Sequence, residues 1–216
     1  MLLMKKDMGG AAIVLGLASM IMRAKLNVSL RVLLPMVENS VSGESMRPSD
    51  VIKTRAGISV EVTNTDAEGR LILCEPLAEA DSEQPELLID VATLTGAART
   101  AVGTEVSAFF SSDDKLADEI FKCANEVSDP VWRLPLWEGY KNMIKGKISD
   151  LINSPESSNA GAITAALFLK EFVKKTKKWL HFDTIAWNLR ERDGRPVGGE
   201  AMTMRAIYHY LKKKYS

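Results

Sequence analysis

The sequence predicts an α/β fold, a central mostly parallel or mixed β-sheet flanked by helices. Three observations carry this expectation. Short strand-like segments alternate along the chain with helix-like ones. Leu87–Ala92 (LLIDVA) is a short, largely apolar strand of the kind buried in the middle of a sheet. The 216 residues are 46% hydrophobic, enough for a domain with a real core and too apolar for a disordered chain.

In chain order, Gly10–Leu26 reads as an apolar helix buried on most sides. Lys5 and Lys6 before the run Ala11–Met22 imitate a signal peptide. Asp7, the Gly9-Gly10 pair and an Arg23 without a small-residue cleavage site favour the buried helix. The run also falls short of the ~18 residues that span a bilayer. Val28–Val37 is expected to be a strand and Glu38–Asp50 a long loop. Val51–Thr63 breaks at Arg55-Ala56-Gly57, a hairpin signal. A polar turn at Asn64–Gly69 leads into a helix over Arg70–Ala80, followed by the Leu87–Ala92 strand and a Thr93–Gly96 loop. Val106–Phe110 is a strand, Asp113–Val127 an amphipathic helix and Asp150–Asn159 a loop. Ala160–Val173 is a helix, Trp179–Ala186 a strand, Arg190–Glu200 a Gly/Pro/Arg loop and Ala201–Lys214 the closing helix. No repeat or linker divides the chain, so a single domain over residues 1–216 is expected.

Charge and cysteine content exclude several function classes. Lys plus Arg and Asp plus Glu each number 28, so no net charge draws the chain to nucleic acid or an anionic membrane. Two cysteines, Cys74 and Cys123, make neither a disulfide framework nor a Cys-rich zinc site, and they fit a reducing cytoplasm. His181 and His209 form no HExxH helix, so a bound metal would rest mainly on carboxylates. No GxGxxG joins a strand to a helix, which removes a dinucleotide-binding enzyme.

The most informative stretch is Asn64-Thr65-Asp66-Ala67-Glu68-Gly69-Arg70. In extended backbone Asp66 and Glu68 point the same way. Two converging carboxylates call for a cation, and hard oxygen donors suit Mg²⁺, Mn²⁺ or Zn²⁺. Asp7, just before a buried helix, is a third candidate ligand. The same residues also make an ordinary helix start, with an Asn-x-Asp cap and an acidic first turn. The pattern by itself leaves both readings open. In the apolar segment WLHFDTIAW, His181 reads as a satisfied core histidine rather than a ligand, and Asp183 as a carboxylate partnered inside the fold. The lysines at 174, 175, 177 and 178 and at 212–214 read as solvated helix ends rather than an anion patch.

Taken whole, NTDAEGR resembles the signature of the leucine (cytosol) aminopeptidase family. KKDMGGAA, ENSVSGESMRPSDV, DVATLTGA, SDLINS, AGAITAALFL and HFDTIAWN resemble further family segments in the right order. The likeness runs from Met1 to about Leu211. It implies a catalytic α/β domain with two divalent metal ions, Mn²⁺ or Zn²⁺, that releases N-terminal, often apolar, amino acids from peptides. It also implies a cytoplasmic homo-oligomer, usually a hexamer. By resemblance Asp7, Asp66 and Glu68 are metal ligands, with Glu68 bridging, and Arg70 is the catalytic arginine that holds a bicarbonate. Leu94 is implied to accept from the substrate through its carbonyl. Met4, Thr93 and Gly96 are implied to wall the side-chain pocket.

The family also carries a separate N-terminal domain. Upstream of the segment matched by Asp7 it has a metal-binding lysine, a further metal-binding aspartate and a catalytic lysine. None of these has a counterpart here, and Lys5 and Lys6 sit in the wrong motif to replace them. The expectation is therefore an incomplete catalytic domain, with poor turnover by these residues alone. The alternative is a remnant that folds, assembles or binds peptide without efficient hydrolysis.

Overall fold

The computed structural model describes residues 2–38 and 40–216. A 3₁₀ turn at Met4–Met8 leads into α1 (Gly9–Arg23). Next come β1 (Val51–Lys53), β2 (Ser59–Glu61), a 3₁₀ turn at Thr65–Ala67 and α2 (Glu68–Ser82). They are followed by β3 (Leu88–Ala92), α3 (Gly96–Val102), β4 (Ser107–Ser111), α4 (Asp114–Glu126) and β5 (Val131–Arg133). A 3₁₀ segment at Glu138–Ile144, β6 (Leu151–Ile152) and α5 (Gly161–Lys170) come next. The chain closes with β7 (Trp179–Asp183), β8 (Trp187–Asn188), β9 (Gly198–Gly199) and α6 (Met204–Tyr215). The fold is mixed α/β, as expected.

The contacts divide the chain into two compact units. The first comprises Met1–Val32, Ile89–Leu134 and Lys178–Ser216. Its sheet has the order β3-β7-β4-β5, with β4 parallel to β5 and antiparallel to β7. Every residue of β4 and β7 is buried, and the polar ones among them, Ser107, Ser111, His181 and Asp183, are hydrogen-bonded there. Phe109 and Phe182 face each other in register, and their rings stack with centroids 5.6 Å apart. α4 packs on α6, and α1 also packs on α6. Asp113 caps α4 by accepting from the Leu116 N–H at 2.7 Å. α1 meets β3 so closely that a Cβ on Gly10 would lie 2.1 Å from the Val91 carbonyl oxygen.

The second unit comprises Leu33–Leu88 and Pro135–Lys177. The predicted hairpin is β1 and β2, and β6 joins β2 in parallel. Gly57 turns the hairpin with φ of +79°. α2 and α5 pack together, and α5 supplies a wholly buried run from Ala165 to Leu169.

Several expectations are corrected. β3 does not lie in the middle of its sheet: among the described residues it is an edge strand, and only Asp90 and Val91 of its five residues are buried. Val28–Val37 forms no strand. Met36 and Val37 are exposed, no neighbouring strand pairs with the segment, and Pro35 has no N–H to give a ladder. The segment instead carries the chain from the first unit into the second. The predicted loop at Glu38–Asp50 has no helix or strand among its described residues, and residue 39 lies outside them. α1 is buried along one stripe rather than on most sides, because Leu15 and Met22 are exposed opposite Ile13, Leu17 and Ile21. α3, β5, β6 and the β8–β9 hairpin were not expected. Strands of two or three residues are too short to show a period, and a partner strand decides them.

Candidate functional site

The family-like acidic turn begins where β2 ends. Asn64 is extended, with φ of −145°, and its side chain accepts from the Asp66 N–H at 2.9 Å. The capping reading therefore holds. Asp66 lies in the 3₁₀ turn and Glu68 is the first residue of α2. The backbone is helical here, so side chains two apart diverge by roughly 200° or more. Extended-chain alternation, offered as the reason for convergence, does not apply to this pair. Asp66 is exposed, Glu68 half-buried and Arg70 buried in the first turn of α2. Glu68 also places a negative charge at the positive end of that helix.

A buried amide from far along the chain fixes this turn. Asn153, fully buried just after β6, accepts through Oδ1 from the Thr63 N–H at 2.8 Å and the Asn64 N–H at 3.2 Å. Its Nδ2 donates to the Asn64 carbonyl at 2.7 Å and to the Ala67 carbonyl at 3.2 Å. Nearby, Asp150 accepts from the Ser59 N–H and hydroxyl, which pins β2 to the start of β6. Residues 150–153 thus orient the segment that carries Asp66 and Glu68.

The other candidates lie in the first unit. Met4 and Asp7 share the 3₁₀ turn before α1, and both are exposed. The Thr93 hydroxyl donates to Asp7 Oδ1 at 2.5 Å, joining two residues that the resemblance had assigned separately. Leu94 and Thr95 follow β3, and Gly96 opens α3. Their loop is held by Asp183, which accepts from the Leu94 and Thr95 N–H groups at 3.0 Å each and from the Thr95 hydroxyl at 2.6 Å. Thr95 in turn caps α3 through the Ala98 N–H at 3.0 Å. Burial pushes the Asp183 carboxyl above its ordinary value, against the lowering effect of His181 and these donors.

His181 is a core residue, as expected. It is fully buried, and its Nδ1 lies 2.5 Å from Asp90 Oδ1. Asp90 also accepts from the Trp179 indole at 2.8 Å. Both cysteines are buried, and burial pushes the Cys74 thiol up to about 12, so it stays protonated. The predicted residues thus form two sets. Asp7 and Thr93 are bonded, with Met4, Leu94 and Gly96 on the same or adjoining segments of the first unit. Asp66, Glu68 and Arg70 share one turn of the second. The sequence reading missed Asn153 and underestimated Asp183. Both lie in quoted segments, SDLINS and HFDTIAWN, but their partners are 86 to 90 residues away.

The donor chemistry suits a hard divalent ion. Asp66 offers an exposed carboxylate with no side-chain partner among the described residues. Thr93 engages Oδ1 of Asp7, fixing the orientation of that carboxylate as an outer hydrogen bond does for a ligand.

Comparison with solved structures defines the class of protein. The chain superposes on the cytosol aminopeptidase of Coxiella burnetii with a TM-score of 0.97 at 54% identity, covering 100% of this chain and 47% of that one. It superposes on the bottromycin maturation enzyme BotP in complex with Mn with a TM-score of 0.91 at 34% identity, covering 96% and 47%. This is the fold of an aminopeptidase catalytic domain. The model of the cytosol aminopeptidase family, catalytic domain, matches residues 1–208, and the chain belongs to that family. A probable cytosol aminopeptidase of Chlorobaculum tepidum is 47% identical over 213 residues, 97% of this chain and 42% of its own length. The chain thus spans less than half the length of the relatives it matches. Among the described residues, no helix is long and apolar enough to cross a membrane.

Proposed function

We propose that the protein carrying this chain is a metal-dependent aminopeptidase that releases N-terminal amino acids, with a leucine-like preference, from peptides. The observation that carries the reading is the catalytic-domain match over residues 1–208, with NTDAEGR placed at the head of α2. Asp7, Asp66 and Glu68 are the proposed ligands of two Mn²⁺ or Zn²⁺ ions. When bound, such ions supply a Lewis acid and a water acidic enough to react near neutral pH. The Mn complex of BotP supports divalent metal in this fold class.

Arg70 holds a fixed positive charge at the first turn of α2, suited to retaining a bicarbonate that accepts a proton. The Leu94 carbonyl accepts from the substrate backbone, in a loop whose amides Asp183 already engages. Met4, Thr93 and Gly96 border the first side chain. One catalytic domain over residues 1–216, a hexameric assembly and a cytoplasmic location complete the proposal.

Mn²⁺ binding to the chain, followed by equilibrium dialysis, tests it together with hydrolysis of a leucyl anilide by the protein that carries the chain. Asp66→Ala and Glu68→Ala are expected to remove both. Metal binding that is unchanged in the double variant would overturn the ligand assignment.

A further inference from the structure

Three of the lysines that read as solvated helix ends in the sequence, Lys178, Lys213 and Lys214, join two lysines of α4 around one cavity of the first unit. Lys115 and Lys122 come from α4, Lys178 immediately precedes β7, and Lys213 and Lys214 come from α6. The cavity they line has a volume of about 440 Å³, the size of a small-metabolite site. Against these five ammonium groups the lining offers two carboxylates, Asp113 and Glu119. Asp113 is already committed to capping α4.

Lys115, Lys122 and Lys178 form no ion pair among the described residues. Lys213 pairs with Glu126 beside the cavity, and Lys214 lies 5.8 Å from the Tyr210 ring centroid. With Glu126 counted against Lys213, chain-wide neutrality still hides a local excess of two positive charges on a concave surface. Like charges held this close repel, and a multiply charged anion relieves that repulsion.

We propose that this cavity binds a small, multiply charged phosphate compound, inorganic or esterified, at a site separate from the peptidase residues. The three unpaired lysines supply most of the attraction, and Lys213 and Lys214 close the α6 side. Burial pushes the Tyr210 phenol above its ordinary value, so its hydroxyl stays protonated as a neutral donor at the cavity wall. Cys123, Glu126 and His209 lie close enough together at the same edge to suggest a metal instead. Lys213 already occupies the Glu126 carboxylate, and the surrounding ammonium groups oppose a second cation there.

Calorimetric titration of the chain with inorganic pyrophosphate, at fixed ionic strength, tests the inference. The expected result is saturable binding to one site that weakens as salt is raised. Combined Lys115→Gln, Lys122→Gln and Lys178→Gln should weaken it by about tenfold or more, from three charge contacts at the water-facing side of the cavity. These side chains form no ion pair among the described residues, so the melting temperature should stay within a degree or two of the parent (about 0.5 kcal/mol). Lys53→Gln, Lys145→Gln and Lys147→Gln, which remove the same charge from the second unit, should leave binding intact. A parallel titration with a nucleoside diphosphate separates the two sources, because tighter binding than pyrophosphate assigns the cavity to an esterified ligand. Non-saturable binding, or equal loss in both triple variants, would overturn the proposal.

Discussion

Asn153 and Thr63 lie 90 residues apart in sequence, yet Asn153 Oδ1 accepts the Thr63 N–H at 2.8 Å and sets the path of the chain into the acidic turn. The same amide satisfies groups of Asn64 and Ala67. A fully buried amide with donors and acceptors all engaged is costly to remove, because each backbone group it served is left unpaired.

Asn153→Ala should therefore destabilise the second unit by about 2–3 kcal/mol, read as a lower urea midpoint at unchanged slope. If Asp66 and Glu68 hold metal as proposed, Mn²⁺ affinity should fall about 10–100-fold, the usual cost of losing an outer-shell partner. Asn153→Asp keeps the acceptor and loses the donor, so it should fall between the two. Unchanged metal affinity alongside lost stability would confine Asn153 to folding.

Asp183→Ala should release the loop after β3. Three donors, the Leu94 and Thr95 N–H groups and the Thr95 hydroxyl, would lose their acceptor in a buried place. A loss of about 3 kcal/mol is expected. Amide hydrogen exchange at Leu94 and Thr95 should accelerate more than at Phe109 in the sheet centre. Uniform acceleration would mean that Asp183 supports the whole unit rather than this loop.

Stability should depend on pH through Asp81. Burial raises its carboxyl, but N–H donors from Thr176, Lys174 and Lys175 outweigh that and hold it below the ordinary value. The folded-state pKa is thus lower than the unfolded one, ~3.9. Its contribution is present above about pH 4 and is lost as pH falls through the folded value. Asp81→Asn should cost about 1–2 kcal/mol at pH 7. The gap from the parent should narrow toward pH 3 in urea titrations, and a gap that widens in acid would contradict the assignment.

Gly10→Ala should be poorly tolerated, since its Cβ would sit 2.1 Å from the Val91 carbonyl oxygen and backbone must move. The cost should be about 1–3 kcal/mol or more. Gly43→Ala has open space around it and should change stability by less than about 0.5 kcal/mol. Comparable melting shifts for the two would show that α1 can slide on β3 freely.

The sequence by itself determined the α/β class, the hairpin at Gly57, the strands β3, β4 and β7, and helices α1, α2, α4, α5 and α6, though not that β3 would stand at the edge of its sheet. Each carries its signal locally: a run of apolar residues, a helical period, a turn glycine or a cap such as Asp113. It also located the family motif and marked His181 as a core residue. Tertiary structure alone decided that Val28–Val37 would not be a strand, since β-propensity forms a ladder only where another strand offers its edge. It likewise decided the parallel pairing of β2 with β6, the Asp183 and Asn153 clamps and the gathering of five lysines. Those relations join residues tens of positions apart, and no local period records them. They exist because buried polar groups must find partners wherever the folded chain brings them.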